Sequence, residues 1–216
     1  MAKAAQSDYI ETDGARLIGR RGEYIISNKN RFIPEINGIC SDIQYEELPM
    51  AKLLRINLSA QSATFEEVPE AYRKFGGRGL TDCIIANEVP PTCDPLGVEN
   101  KLIWAPGILG GTTVPCSGRL SVGAKSPMTK GIKEANTGGA MGQKLARLGL
   151  KAVVFEGKAK EPTSVKIDPK GVSFSSATDL TGLGSYAILE KLKKANSEKA
   201  CLAWTGPAGA PPAPRP

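Results

Sequence analysis

From Pro115 to Gly142 the chain reads PCSGRLSVGAKSPMTKGIKEANTGGAMG, placing six glycines, one arginine and three lysines in a single run. Glycine lets backbone N–H groups approach a ligand closely. A helix N-terminus with cations nearby favours phosphate. The Asn-Thr-Gly-Gly step at 136–139 opens an expected helix. The fold must therefore turn a glycine-rich segment into the start of a helix, and the run points to an anionic, phosphate-bearing ligand.

The remaining composition narrows the classes. The chain has 216 residues, of which 41% are hydrophobic, enough for one large domain or two small ones. Aromatics are sparse at 6%, against a base-stacking nucleic-acid binder. The net charge of +6 comes from interspersed signs, which reads as a solvated surface and no nucleic-acid footprint. Five cysteines, none spaced Cys-x-x-Cys, read as free thiols and no disulfide framework. There is no histidine, which removes a Ser-His-Asp or Cys-His mechanism within this chain. Residues 1–30 lack the apolar core of a signal peptide, and no apolar run is long enough to span a bilayer. The expectation is a cytoplasmic protein that does not engage the membrane.

Three segments are expected: an N-terminal extension over 1–49, a domain over 50–207 and a proline-rich tail over 208–216. Strands are expected at Glu23–Ser27, Lys52–Leu58, Ala63–Val68, Lys101–Ala105, Leu120–Ala124, Lys151–Glu156 and Ala200–Trp204, with a hairpin over Ser164–Ile167 and Gly171–Phe174. Helices are expected at Pro69–Phe75, Arg78–Glu88, Gly139–Leu148 and Tyr186–Lys194, with Gly149 ending the third. Tight hairpins with helices between them give an α+β class. The strand–hairpin–helix order starts near Lys52 and again near Lys151, which reads as an internal repeat.

Three motifs carry chemistry. In Gly76-Gly77-Arg78-Gly79-Leu80, a glycine break ahead of a helix offers backbone donors and one guanidinium to an anion; the alternative is a turn with a surface arginine. In Ser117-Gly118-Arg119, the arginine at a strand start can fork onto phosphate; the alternative is a surface arginine paired to Glu134. In Asn136-Thr137-Gly138-Gly139, Asn136 or Thr137 can cap the next helix while the glycines leave backbone open to a ligand; the alternative is a capped helix and nothing more. Neither G-x-G-x-x-G after a strand nor a P-loop is present, so the anion site is of neither nucleotide type.

GGRGL at 76–80, DPLGVENKLIWAPGILGGTTVPCSGRLSVGAKSPMTKGI at 94–132, ANTGGAMGQKLARLGLKAVVFEGKA at 135–159 and GPAG at 206–209 resemble the N-terminal domain of tungsten-dependent aldehyde:ferredoxin oxidoreductases. The resemblance implies two mixed β-sheets with inserted helices in a pseudo-twofold repeat, the second repeat incomplete here. It implies a tungsten (or molybdenum) atom held by two pterins whose phosphates are bridged by magnesium. By position, Arg119 matches the arginine near the pterin. Asn136, Thr137 and Gly138 match the cofactor-contacting segment, with the Asn136 backbone carbonyl a magnesium ligand. Gly77, Arg78 and Gly79 match a motif beside the same site. The implied reaction oxidises a small aldehyde to a carboxylate, with electrons passing through a [4Fe–4S] cluster to ferredoxin or another electron-transfer subunit.

The departures shape the functional expectation. The cluster cysteines of the family and its acid/base histidine find no match here, so no catalytic residue is assigned. The expected function is the cofactor-binding portion of such an enzyme, truncated and inactive by itself. The alternatives are a non-catalytic anion- or cofactor-binding module and a subunit completed by a partner chain; homo-oligomerisation stays open.

Overall fold

The computed structural model describes residues 9–12, 15–20, 23–28, 52–197 and 199–206. The chain divides into two compact units, Met1–Gln44 and Tyr45–Pro216. In the first, β1 (Tyr9–Thr12), β2 (Ala15–Arg20) and β3 (Glu23–Asn28) form an antiparallel sheet in sequence order. Only β3 is anticipated by the sequence. The tail expected over 208–216 and the N-terminal extension beyond β3, residues 29–49, lie outside the described residues.

The second unit is built on β4 (Lys52–Asn57), β5 (Ser62–Glu67), β6 (Leu102–Pro106), β7 (Leu120–Lys125), β8 (Ile132–Thr137) and β9 (Leu150–Glu156). They form one six-stranded sheet in the order β5-β4-β9-β6-β7-β8. Only the β4–β9 pair is parallel, so the sheet is mixed. The helices are α1 (Glu70–Arg73), α2 (Gly77–Glu88), α3 (Met141–Arg147) and α4 (Ser185–Ala195). Strands β10 (Thr163–Asp168) and β11 (Gly171–Ser176) make a separate antiparallel hairpin.

Both faces of the sheet are covered, which explains the apolar runs of its central strands. On one face α2 lays Leu80, Ile84 and Ile85 against Leu53, Ile103, Ala105, Ala152 and Val154, all buried. On the other, Leu145 of α3 meets Leu54, Ile56, Leu120, Leu150 and Val153, with Val165, Ile167, Val172 and Phe174 of the hairpin packed against them. Each fully buried Leu or Ile contributes about 1.5–3 kcal/mol. Gly149 follows α3 at φ 78, in the left-handed conformation expected of it.

The α+β class holds, with one mixed six-stranded sheet and a two-stranded hairpin. Strand β9, expected to begin a second repeat, lies beside β4 in the same sheet, because Leu150 to Val154 is buried on both faces and needs the sheet's centre. Two further elements differ. Ala200–Trp204 is not a strand, and among the described residues no ladder partner lies beside it. Strand β8 is additional, and it carries the site.

At the C-terminal end of α2 a polar network joins three strands and two helices to a loop. Glu88 accepts a two-nitrogen fork from Arg55 at 2.8 and 2.9 Å, a bond from Lys101 Nζ at 2.7 Å and one from Tyr72 Oη at 3.0 Å. Arg55 also donates to Glu66 at 2.7 Å, and Lys101 pairs with Glu156 at 3.3 Å. Burial opposes the charge on Glu88, but Arg55 and Lys101 outweigh it and hold the carboxyl at about 2.

Candidate functional site

Strands β7 and β8 pair with Ser121 opposite Asn136 and Gly123 opposite Glu134. Side chains two apart share a face, so Glu134 and Asn136 stand on the same side of β8. Asn136 Nδ2 donates to Ser121 Oγ at 3.1 Å, and its Oδ1 accepts from Arg119 Nη1 at 2.8 Å. Arg78, in the first turn of α2, reaches back so that its Nε donates to Glu134 Oε2 at 3.0 Å. Its side chain is 69% exposed, whereas that of Glu134 is 7% exposed.

The N-terminus of α2 stands over these residues. Its N-cap is Gly76, no side chain caps it and its first turn holds no acid. Gly77 has φ 53, a left-handed conformation that glycine adopts without strain. A Cβ there would lie 3.4 Å from Ser121 Oγ. Ser121 is 2% exposed and links the helix start, Asn136 and, through Asn136, Arg119.

Helix α3 enters by close backbone approach. A Cβ on Gly142 would sit 2.7 Å from the Gly118 carbonyl oxygen and 2.9 Å from that of Arg119, so only glycine lets α3 rest on this segment. Gln143 fastens the neighbouring loop, accepting from the Gly111 N–H at 2.8 Å and donating to Ser117 Oγ at 2.9 Å. Beside it, Gly138 and Gly139 have no atom within 4 Å of where a Cβ would stand, which leaves their backbone open.

The electrostatics follow from burial and partners. Desolvation pushes the Glu134 carboxyl up, but Ser121, Arg78 and Asn136 outweigh it and hold it below the ordinary carboxylate range. Its Oε1 is buried and accepts no hydrogen bond. Ser121 and Asn136 lie near enough to favour the charged form without closing a bond onto that oxygen. Lys125 takes no part: its buried ammonium donates to the carbonyls of Pro90, Pro91 and Cys93 and ties that loop to the end of β7.

The structure thus joins Arg119 to Asn136 and places Gly77 beside Ser121, with Arg78 and Gly79 in the same helix turn. Thr137 ends β8 and Gly138 follows it, both exposed. Neither Asn136 nor Thr137 caps α3; that position falls to Ala140, because β8 pairing with β7 keeps both residues in the sheet. Glu134 pairs with Arg78 and not with Arg119. The sequence reading missed Ser121, Gln143 and the role of Glu134. The one available signal was the period-two placement of Glu134 and Asn136.

The donor set fits phosphate. Two guanidiniums, an uncapped helix N-terminus and open glycine backbone converge at one end of β7 and β8. Among the described residues no group of three or more Cys, Asp or Glu is close enough to hold a metal ion by side chains alone. Cys83, Cys93, Cys116 and Cys201 are free thiols. No helix among the described residues is long and apolar enough to cross a membrane.

Residues 53–212 match the family described as "Aldehyde ferredoxin oxidoreductase, N-terminal domain". The tungsten-containing aldehyde ferredoxin oxidoreductase of Pyrococcus furiosus is 39% identical over 161 residues, which cover 73% of this chain and 27% of that protein. The enzyme of the same name from Thermococcus kodakarensis is 40% identical over the same share of each. The chain therefore spans about a quarter of the length of these relatives. Among solved structures, the active site complex BamBC of benzoyl coenzyme A reductase, in complex with 1,5-dienoyl-CoA, is similar with a TM-score of 0.63 and 30% identity, covering 68% of this chain and 23% of that one. The chain belongs to the aldehyde ferredoxin oxidoreductase family, and residues 53–212 are its N-terminal domain.

Proposed function

We propose that this chain is the cofactor-holding portion of an aldehyde:ferredoxin oxidoreductase-like enzyme. The observation that carries the reading is the convergence of Arg119, Asn136, Arg78 and the uncapped start of α2 at one end of β7 and β8. Arg119 and Arg78 would take the phosphates of a tungsten (or molybdenum) bis-pterin. The Asn136 backbone carbonyl would be a ligand to the magnesium ion of that cofactor. Gly77, Gly79, Thr137 and Gly138 would let the ligand approach the backbone. When bound, the cofactor supplies the two-electron oxidation of an aldehyde to a carboxylate, with water as oxygen source.

The chain's own residues bind and orient. Asn136 fixes Arg119, and Ser121 fixes Asn136, so the guanidinium is set before a ligand arrives. Proton transfer at the substrate, the [4Fe–4S] relay and the docking of ferredoxin belong, in this reading, to other parts of the enzyme, and the chain alone turns over no aldehyde. The likeness to the BamBC active site complex supports a second reading, in which a partner chain completes the site.

Metal and pterin analysis of the purified protein tests the proposal. Tungsten or molybdenum with pterin is the expected result, and Arg119→Ala should lower both without changing the far-ultraviolet circular dichroism. Finding neither metal nor pterin in the unsubstituted protein would overturn the cofactor-holding role; unchanged occupancy in Arg119→Ala would overturn the assignment of Arg119.

A further inference from the structure

We propose that Glu134 is a positioning residue: it holds Arg78 so that Arg78 and Arg119 together form a two-guanidinium seat for a phosphate monoester. The inference rests on the cofactor-site reading above and adds to it a role for Glu134 and the geometry of the seat.

The two arginines come from different elements, α2 and the approach to β7, yet each is fastened by one side chain of β8. The fastening residues, Glu134 and Asn136, are two positions apart on one face, about 6.6 Å along the strand at the usual rise. In the proposed seat one tetrahedral anion lies between the two guanidiniums so fastened. Each arginine gives a single N–H to its fastener, and a guanidinium carries five. Arg78 uses Nε, so among the described residues both of its outer nitrogens are uncommitted.

Glu134 cannot easily release Arg78. Its carboxylate is more than nine-tenths buried, and Oε1 has no hydrogen-bond partner. Among the described residues Arg78 is the one cation paired with it. A ligand that pulled Arg78 away would leave a buried charge without a counter-ion, which is costly. A phosphate is therefore bound by the outer nitrogens while Nε stays on Glu134. A free side chain, 69% exposed as Arg78 is, would have to be ordered on binding; Glu134 removes that cost beforehand.

The test is calorimetric titration of the full 216-residue chain with phenyl phosphate and with inorganic phosphate at fixed ionic strength. Glu134→Ala and Arg78→Ala should each weaken phenyl phosphate about tenfold, as loss of a charge-assisted fork does. The double substitution should be no weaker than either alone. Glu134→Gln keeps an oxygen for Nε but not the buried charge, so it should bind about threefold more weakly than the unsubstituted chain and more tightly than Glu134→Ala, a partial rescue that general destabilisation would not give. Arg78→Lys retains the charge over Glu134 but has no fork, so it folds and should still bind about fivefold more weakly. If Arg119→Ala abolishes binding while the Arg78 and Glu134 substitutions change nothing, the positioning role is overturned and the cofactor-site reading stands. If the unsubstituted chain takes up neither probe, the site reading itself fails. Tighter binding of the ester than of inorganic phosphate is expected; equal binding would assign the seat to free phosphate and overturn the ester assignment.

Discussion

Gly142 holds α3 against the backbone of Gly118 and Arg119 with no room for a methyl group. Because the obstructing atoms are backbone, they can yield only by moving the segment that presents Arg119. Gly142→Ala should therefore destabilise the protein by about 2 kcal/mol and weaken phosphate binding, although residue 142 touches no ligand. A thermal melt and a phenyl phosphate titration check both outcomes. At this scale the sequence revealed the residues whose type is itself unusual: a glycine pair, or an arginine after glycine. Ser121 and Glu134 were hidden because a serine and a glutamate on strands carry no such mark. Their roles come from the register that sets Ser121 across from Asn136 and leaves Glu134 beneath Arg78.

Elements with strong apolar patterns were legible, and those defined by partners were not. Strand β4 announces itself through an apolar run buried on both faces, and helix α2 through leucine and isoleucines at a spacing near 3.6. Strand β8 reads IKEANT, poor in strand formers, and owes its form to its ladder with β7. The reverse holds for Ala200–Trp204, apolar enough for a strand but without a neighbour to pair with among the described residues. The loop ahead of β7 depends on α3 through Gln143, which holds both Gly111 and Ser117. Gln143→Ala should speed amide exchange at Gly111 about fivefold, the worth of one hydrogen bond near 1 kcal/mol, with little change in the sheet. Exchange monitored residue by residue would show it, and equal rates at Gly111 would contradict the tether.

The Glu88 network acts on the whole second unit, since it ties β4, β5, α2, β9 and the loop at Lys101 together. Glu88→Ala would leave Arg55 and Lys101 half-buried without their main partner and should cost about 2 kcal/mol, visible as a lower melting temperature. Its pH dependence has a fixed sign. The folded carboxyl stands at about 2, below its ordinary value of 4.5, so its stabilisation is complete above pH 4.5 and fades as pH falls toward 2. Glu88→Gln should flatten the acid limb of stability between those values; an unaltered acid limb in urea melts would refute this. The sequence pattern did not disclose the network, because five charged residues scattered from 55 to 156 meet only after the sheet has formed.

Strand β8 is the outermost strand on its side of the six-stranded sheet. Its second row of backbone donors and acceptors has no ladder partner among the described residues, so the strand that carries Glu134 and Asn136 is also one able to template another chain. Lys133, exposed on this strand, places a charge at the edge that opposes such pairing. Neutralising Lys133 would therefore trade solubility for an adhesive edge, and the first symptom would be precipitation during expression.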